Sequence, residues 1–351
     1  MIAHSRPDLG TEEADAAHQI IARGQVAQGP VVAAFEEDVA GVVGRRHGVA
    51  VSSGTAALQL LLQVLDVQQR RVLMPSYVCT ALVHATRAVG AIPTLTDVDP
   101  STGNIDVVPA DEGVFDDCAV AILPHMFGRL ASAAGELSTR MPVIEDLAMA
   151  LGAVGAGGSG VAAVCSFYAT KVITSGGEGG MVVTDDAALA QAVRELRDYD
   201  GRVPDRPRWN FKLTDVGAAV GRVQLRRLPQ LLERRRMLAA RYDEASRNWA
   251  ALRPDSRKGD IDYRYVVAVE SGRLDSALTA FGEHGVVARR PVDAPLHELL
   301  CEEGSFPGAD EMKDRALSLP LYPALSDADA ERVVTVADRV LAPPTGPEFA
   351  R

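Results

Sequence analysis

Cysteine is scarce in this sequence and nowhere falls into a ligand spacing. The four cysteines, Cys79, Cys118, Cys165 and Cys301, are widely scattered and form no CxxC pair. That pattern excludes a disulfide framework and a zinc knuckle, and it suits a reducing cytoplasm, the compartment expected here. An excess of positive charge is missing too. Lys and Arg total 36 against 47 Asp and Glu, a formal net charge of -11, so the long-range field repels polyphosphate and speaks against a nucleic-acid or anionic-membrane partner. One basic stretch, Arg222 to Arg241, runs against that balance. Its arginines sit among leucines at helical spacing, which reads as a solvated helix face. Long apolar runs are absent as well: Met1 to Asp8 hold no signal core, and no stretch is long and apolar enough to span a membrane. Internal repeats and low-complexity tracts are also lacking.

What is present is a globular composition, 47% hydrophobic and 24% charged, on a chain long enough for one large domain and a smaller companion. Residues 11 to 44 read as two helices, the second opening with Pro30 and stopping at Gly44. Short apolar runs then alternate with helical stretches. The strand candidates are Gly48 to Ser52, Arg71 to Met74, Ile92 to Asp97, Ala119 to Pro124, Pro142 to Asp146, Val161 to Tyr168 and Gly180 to Thr184. A helix is expected from about Tyr77 to Val89. This alternation predicts an α/β fold, a large mostly parallel sheet covered on both faces. Thr214 to Trp249 has a helical period, with Pro229 expected to break it into two helices. Beyond it come a strand (Tyr263 to Val269), a helix (Leu274 to Glu283), a strand near Val286 and a last helix from about Asp327. The expected division is a large domain over 1–240 and a small C-terminal α+β domain over 241–351, with the N-terminal segment available to pack on the small domain. The run Pro343 to Pro347 is expected to fray.

Ligands of open α/β sheets gather at the carboxyl ends of the strands, and four features fall there. Ser53-Gly54-Thr55 links a strand to a helix, so its backbone N–H groups and hydroxyls suit a phosphate at the helix N-terminus. Asp146 ends the strand Val143-Ile144-Glu145-Asp146. Ser166 sits late in the strand Val164 to Tyr168, and Lys171 follows in the loop to Gly176-Gly177-Glu178-Gly179-Gly180. A pyridoxal-phosphate enzyme needs this set: a lysine amine for a Schiff base with the aldehyde, a carboxylate to keep the pyridine nitrogen protonated, and a neutral hydrogen-bonding cup for the phosphate. Each part alone has an ordinary explanation, a turn residue or a solvated lysine. Together and in this order they specify the cofactor.

The sequence resembles the sugar aminotransferase family of the DegT/DnrJ/StrS type, on the type I aminotransferase fold. The likeness runs almost end to end. It is carried by Ser5-Arg6-Pro7-Asp8, Gln28-Gly29-Pro30, Val51 to Leu58, Pro75-Ser76, Asp97 to Pro100, Thr102 to Asp106 and Pro124 to Gly128. Val143 to Asp146, Ser166 to Lys171, Gly177 to Gly180 and Leu317 to Leu321 complete it. The resemblance implies that Lys171 is the Schiff-base lysine and Asp146 the partner of the pyridine nitrogen. It places Gly54, Thr55 and Ser166 on the phosphate, with Asn210 reaching the phosphate of the neighbouring subunit in a homodimer. It also implies transfer of an amino group, from glutamate or glutamine, to a keto-sugar or related small ketone in specialised-metabolite or amino-sugar biosynthesis. The lysine amine then serves as base and acid in turn. A relative that dehydrates sugars has histidine at this position, so retention of Lys171 favours transamination.

Three positions depart from the family pattern. Cys79, with Tyr77 nearby, stands where an aromatic residue usually stacks on the cofactor ring. Met149 replaces a Gln or His three residues after the aspartate, and Lys212 stands where an arginine commonly follows the asparagine motif. Cys79 and Met149 are still expected beside the ring. They keep two other readings open: elimination, racemisation or carbon-bond chemistry on the same cofactor, and a non-catalytic cofactor-binding regulator. Other motifs carry less. Gly155 to Gly160 fits GxGxxG but precedes a strand, so a flexible hairpin is expected in place of a dinucleotide site. His297-Glu298-Leu299-Leu300-Cys301 lacks the second His of a zinc-protease helix, and no metal site is expected. His125 reads as structural in preference to catalytic. Arg289 and Arg290 fit equally a substrate carboxylate or phosphate site and a plain surface pair.

Overall fold

The computed structural model describes residues 1–105, 115, 117–201, 203, 205–249, 251–252 and 258–342. Asp106, Arg202 and the run Pro343 to Pro347 lie outside them. The sheet strands are β1 (His47–Val51), β2 (Arg71–Pro75), β3 (Ile92–Thr96), β4 (Cys118–Pro124), β5 (Val143–Asp146), β6 (Ala162–Ser166) and β7 (Gly180–Thr184). They form one sheet in the order β1-β7-β6-β5-β4-β2-β3. β3, β2, β4, β5 and β6 run parallel, and β7 is antiparallel to both β6 and β1. All seven residues of β4 are buried, as a strand covered by helices on both faces requires. The fold class is the α/β sheet expected from the sequence.

Topology brings the chemistry to one edge. The parallel strands end together at Pro75, Pro124, Asp146 and Ser166, with Pro124 opposite Asp146 in the register. Gly180 stands opposite both Ser166 and Val51. The chain leaving β1 through Ser52 and Ser53 therefore enters the helix Gly54–Val64 directly over the end of β6.

A second sheet, antiparallel in the order β10-β9-β8, contains β8 (Ala251–Leu252), β9 (Tyr265–Val269) and β10 (Ala316–Leu319). The helices Leu274–Glu283 and Asp327–Val340 cover it. The segment near Val286 forms only single bridges, to Ile2 and, at Arg289, to Ser318, where a full strand was expected. Ile2 pairs there because its N–H donates to the Gly285 carbonyl and its carbonyl accepts from Val287 N–H. The N-terminal segment thus lies on the small sheet.

Two further expectations are corrected. Pro229 does not divide the helix: Asp215–Ser246 is one element of 32 residues with Pro229 inside it. Proline removes one backbone bond, but Pro229 faces solvent while Leu225, Leu228 and Leu231 pack in the large core and Leu238 and Tyr242 in the small one. Burial on both sides holds the helix through the gap. The helix expected from Tyr77 begins at Ala81, because Ser76 is tied across the chain by its N–H to the Thr96 carbonyl and its carbonyl to Leu296 N–H.

Candidate active site

A cavity of about 200 Å³ opens at the strand ends, and Gly54, Thr55, Cys79, Asp146, Ser166 and Lys171 all line it. Glycine is required twice to build it. A Cβ on Gly180 would lie 2.3 Å from the Ser53 carbonyl carbon, and one on Gly54 would lie 3.0 Å from Ser166 Cβ. Only bare backbone lets the helix start settle on the sheet. Ser53 Oγ caps that helix by accepting Ala56 N–H at 3.1 Å. The N–H groups of Gly54 and Thr55 receive no acceptor among the described residues and face the cavity at the positive end of the helix.

Asp146 is 9% exposed. Its Oδ1 accepts Ala148 N–H at 2.8 Å, and among the described residues no donor reaches Oδ2. Burial pushes its pKa up, against the Ala148 N–H and the charges of Lys171 and His125. A buried carboxylate this thinly supported calls for a cation beside it. Lys171, half-buried on the loop after β6, makes no ion pair among the described residues. Its N–H donates to the Tyr168 carbonyl, and the preceding Thr170 carbonyl accepts the Tyr263 hydroxyl at 3.0 Å. These bonds hold the lysine backbone while its amine stays available.

Behind Asp146 lies a fully buried hydrogen-bonded pair, His125 and Glu145. Ala131 N–H donates to His125 Nδ1 at 3.0 Å, so the ring proton sits on Nε2 and is donated to Glu145 Oε2 at 3.0 Å. Glu145 also accepts from Gly157, Ser159 and Gly160 N–H, and Arg45 binds the Gly157 and Gly160 carbonyls. The glycine-rich run is therefore a pinned turn, and the flexible hairpin expected there is corrected. Desolvation raises the Glu145 pKa, but its donors outweigh it and leave the carboxyl below its usual range. The stability it supplies is present above the unfolded carboxylate pKa and is lost as pH falls through its lowered folded value. Glu145→Ala should cost about 3–5 kcal/mol in urea unfolding, because it strips His125 and three backbone N–H groups of their acceptor, and the difference from wild type should shrink at acidic pH.

Other sequence candidates lie elsewhere. Met149 does not line the cavity; its sulfur accepts Phe127 N–H at 3.5 Å. Asn210 is exposed and away from the cavity of its own chain. Tyr77 is fully buried in the large core, so it does not take the place of an aromatic at Cys79. Cys79 opens into the cavity, and burial together with the Asp146 charge raises its thiol pKa against the opposing charge of Lys171. Lys212 is committed to Asp198 and Asp200 at 3.0 and 2.7 Å. His297 bonds Ser76 and Asp310 and stacks on Phe306, and Glu298 pairs with Lys313.

A family model for the DegT/DnrJ/EryC1/StrS aminotransferase family matches residues 7–337. The chain belongs to this family. It is a pyridoxal-phosphate-dependent aminotransferase acting on a small-molecule amino donor and keto acceptor. Similar solved structures include the aminotransferase TlmJ from Streptoalloteichus hindustanus, 31% identical over 97% of this chain and 99% of that one, with a TM-score of 0.89. The S. venezuelae protein DesV is 28% identical over 96% and 98%, with a TM-score of 0.85. A DegT DnrJ EryC1 StrS aminotransferase from Brucella abortus is 27% identical over 94% and 95%, with a TM-score of 0.85.

The residues of this aminotransferase fit its cofactor on physical grounds: an under-bonded buried carboxylate, an unpaired lysine and an open helix start share one cavity. Tyr168 and Glu178 also line that cavity and were not singled out from the sequence. Both lie inside runs that carried the family likeness, so their position was legible, but only the folded loop shows that they face inward. Among the described residues, no helix is long and apolar enough to cross a membrane.

Proposed function

We propose that Lys171 is the covalent anchor of pyridoxal phosphate, and that this aminotransferase carries an amino group from glutamate or glutamine to a keto-sugar or related small ketone. Production of an amino sugar or other specialised metabolite is the context that fits. The observation that supports this most is the shared cavity in which Lys171 faces the under-bonded Asp146.

When bound, the cofactor supplies an aldehyde that captures amines and a ring that stores the electron pair left by a broken C–H bond. Asp146, ionised beside a cationic ring nitrogen, keeps that nitrogen protonated. Gly54 and Thr55 N–H, with the Ser166 hydroxyl, hold the phosphate at the helix N-terminus. Lys171 Nζ would take the proton from the donor Cα and would give one to the acceptor carbon, acting as base and acid in turn. Cys79, its thiol kept protonated by a raised pKa, presents a small neutral wall where a ring would otherwise stack. Asn210, exposed and turned from its own cavity, serves the phosphate of a second copy in a homodimer. The small domain begins near residue 240, beyond the point where the long helix leaves the large core.

Mixing the holoenzyme with L-glutamate or L-glutamine should convert its visible absorbance to that of the pyridoxamine form and release one 2-oxo acid per site. No conversion by either donor would remove the donor assignment. Mixed Lys171→Ala and Asn210→Ala subunits should recover up to about a quarter of wild-type activity, since a two-fold dimer restores one of two sites in each hybrid. Proven exchange without recovery contradicts the shared site.

A further inference from the structure

Lys171 is carried on a loop, yet the peptide unit that leads into it is held at both polar ends. Its carbonyl, on Thr170, accepts the Tyr263 hydroxyl at 3.0 Å, and its N–H, on Lys171, donates to the Tyr168 carbonyl at 2.9 Å. A peptide unit is planar and stiff, so two bonds to its opposite edges fix the rotation of the whole plane. That rotation sets where the Lys171 Cα–Cβ bond points. The Tyr168 bond lies within the loop and moves with it. The Tyr263 bond does not: it comes from a residue 93 positions away, on the segment that leads into β9.

Tyr263 is itself held in place. It is 3% exposed and belongs to the same buried cluster as Val172 and Ile173, the residues that follow Lys171. The guanidinium groups of Arg235 and Arg264 each lie 5.3 Å from the centre of its ring, within reach of a cation–π attraction. Arg235, 4% exposed, donates through Nη1 to the Tyr263 and Leu321 carbonyls, both at 2.9 Å. The tyrosine backbone is thereby tied to the long helix Asp215–Ser246. The residues before it dock against the large core: Ile261 N–H reaches the Gly128 carbonyl at 2.9 Å, and the Gly259 carbonyl accepts Val154 N–H at 2.9 Å. The residues after it enter the small sheet.

We propose that Tyr263 is a positioning residue for the cofactor lysine: its hydroxyl holds the peptide unit entering Lys171 so that the amine is aimed at the cofactor aldehyde. This rests on the reading that Lys171 is the covalent anchor. Tyr263 does not line the cavity, so it acts only through the lysine. A tilt of the peptide plane at Cα is magnified at Nζ, several bonds farther out, and a misplacement of about 1 Å is enough to cost a reaction on the order of 100-fold. Without the hydroxyl the plane is held at one end only. The buried ring remains, so the loop keeps its packing and loses its aim.

The test is binding of two probes to the cofactor-free full-length protein. One is pyridoxal phosphate, whose aldehyde bonds with Lys171; the other is 4-deoxypyridoxine phosphate, which carries a methyl group in place of the aldehyde. Tyr263→Phe should weaken pyridoxal phosphate about 10-fold, the scale of one buried hydrogen bond, and should bind the deoxy compound as wild type does. Tyr242→Phe is the control. The Tyr242 hydroxyl also donates to a backbone carbonyl, that of Pro320 at 2.9 Å, but inside the small core, and this variant should bind both probes as wild type does. Unchanged affinity of Tyr263→Phe for pyridoxal phosphate overturns the proposal. So does an equal loss for both probes, which would make the hydroxyl a support of the whole cavity, and so does the same selective loss in Tyr242→Phe. Should Tyr263→Phe not fold, Arg264→Gln removes one of the two guanidinium groups from the ring and leaves the hydroxyl. It should show a smaller loss confined to pyridoxal phosphate, and no loss there overturns the proposal as well. A wild-type protein that binds the two probes equally has no covalent anchor at Lys171, and fails the proposed function and this proposal together. One that prefers the aldehyde, while Tyr263→Phe prefers it as strongly, fails this proposal alone.

Discussion

Lys171→Ala is expected to fold as the wild type does, to lose the visible absorbance of the lysine-bound cofactor, and to lose transamination by about 10⁴-fold, the upper range for a positioned acid–base group. The fold should survive because the side chain is half-buried and makes no ion pair among the described residues, so its removal should move stability by no more than about 0.5 kcal/mol. The loop stays in place through backbone bonds, Lys171 N–H to Tyr168 and Tyr263 hydroxyl to the Thr170 carbonyl, none of which needs the amine. Added methylamine should restore part of the proton-transfer rate, because a small amine fits the space the side chain leaves. A merely structural lysine would show the opposite pattern: a lower melting temperature, retained absorbance and no rescue.

Asp146→Asn separates function from stability in the other direction. The variant should lose about 10²–10³ in kcat, the scale for removing one preorganised electrostatic partner, because an amide does not hold the ring nitrogen protonated. The cofactor-free variant should melt above the cofactor-free wild type at neutral pH. The sign follows from burial, which raises the Asp146 pKa above that of the unfolded chain. The ionised form is therefore penalised in the folded state. That penalty is full above the raised pKa and fades as pH falls toward the unfolded value. Asparagine carries no such penalty, so the gain in melting temperature should shrink on acidification. An Asp146→Asn protein with unchanged kcat, or a cofactor-free form that melts lower at neutral pH, would contradict a carboxylate kept here for a cationic partner.

The parts of the site fixed by local chain geometry were legible in the sequence. Ser53-Gly54-Thr55 reads as a strand-to-helix junction, and Asp146 and Ser166 end apolar runs, so strand ends in a parallel sheet bring them together without any long-range information. What was not legible depends on burial. Pro229 breaks a helix by local rules, yet two cores on either side hold Asp215–Ser246 in one piece. Met149 is three residues past Asp146, but its side chain turns to Phe127 and not to the cavity. Gly155 to Gly160 has the composition of a mobile loop, and only Glu145 and Arg45 reaching it from elsewhere make it a fixed turn. Arg289 and Arg290 are neighbours of one residue type; Asp275 distinguishes them, and it lies 14 residues before the nearer one. The departures from the family at Cys79 and Lys212 were visible, and their consequences differ. Cys79 changes the cavity wall, while Lys212 is spent on two aspartates of the adjacent loop.

The measurement that bears most directly on the anchor is borohydride reduction of the holoenzyme followed by peptide mass mapping. The chain has only four lysines, Lys171, Lys212, Lys258 and Lys313, so the adduct can be assigned without ambiguity. The expected result is a single phosphopyridoxyl group on the peptide containing Lys171. The adduct on any of the other three lysines, or its absence from a protein shown to hold the cofactor before reduction, would contradict it.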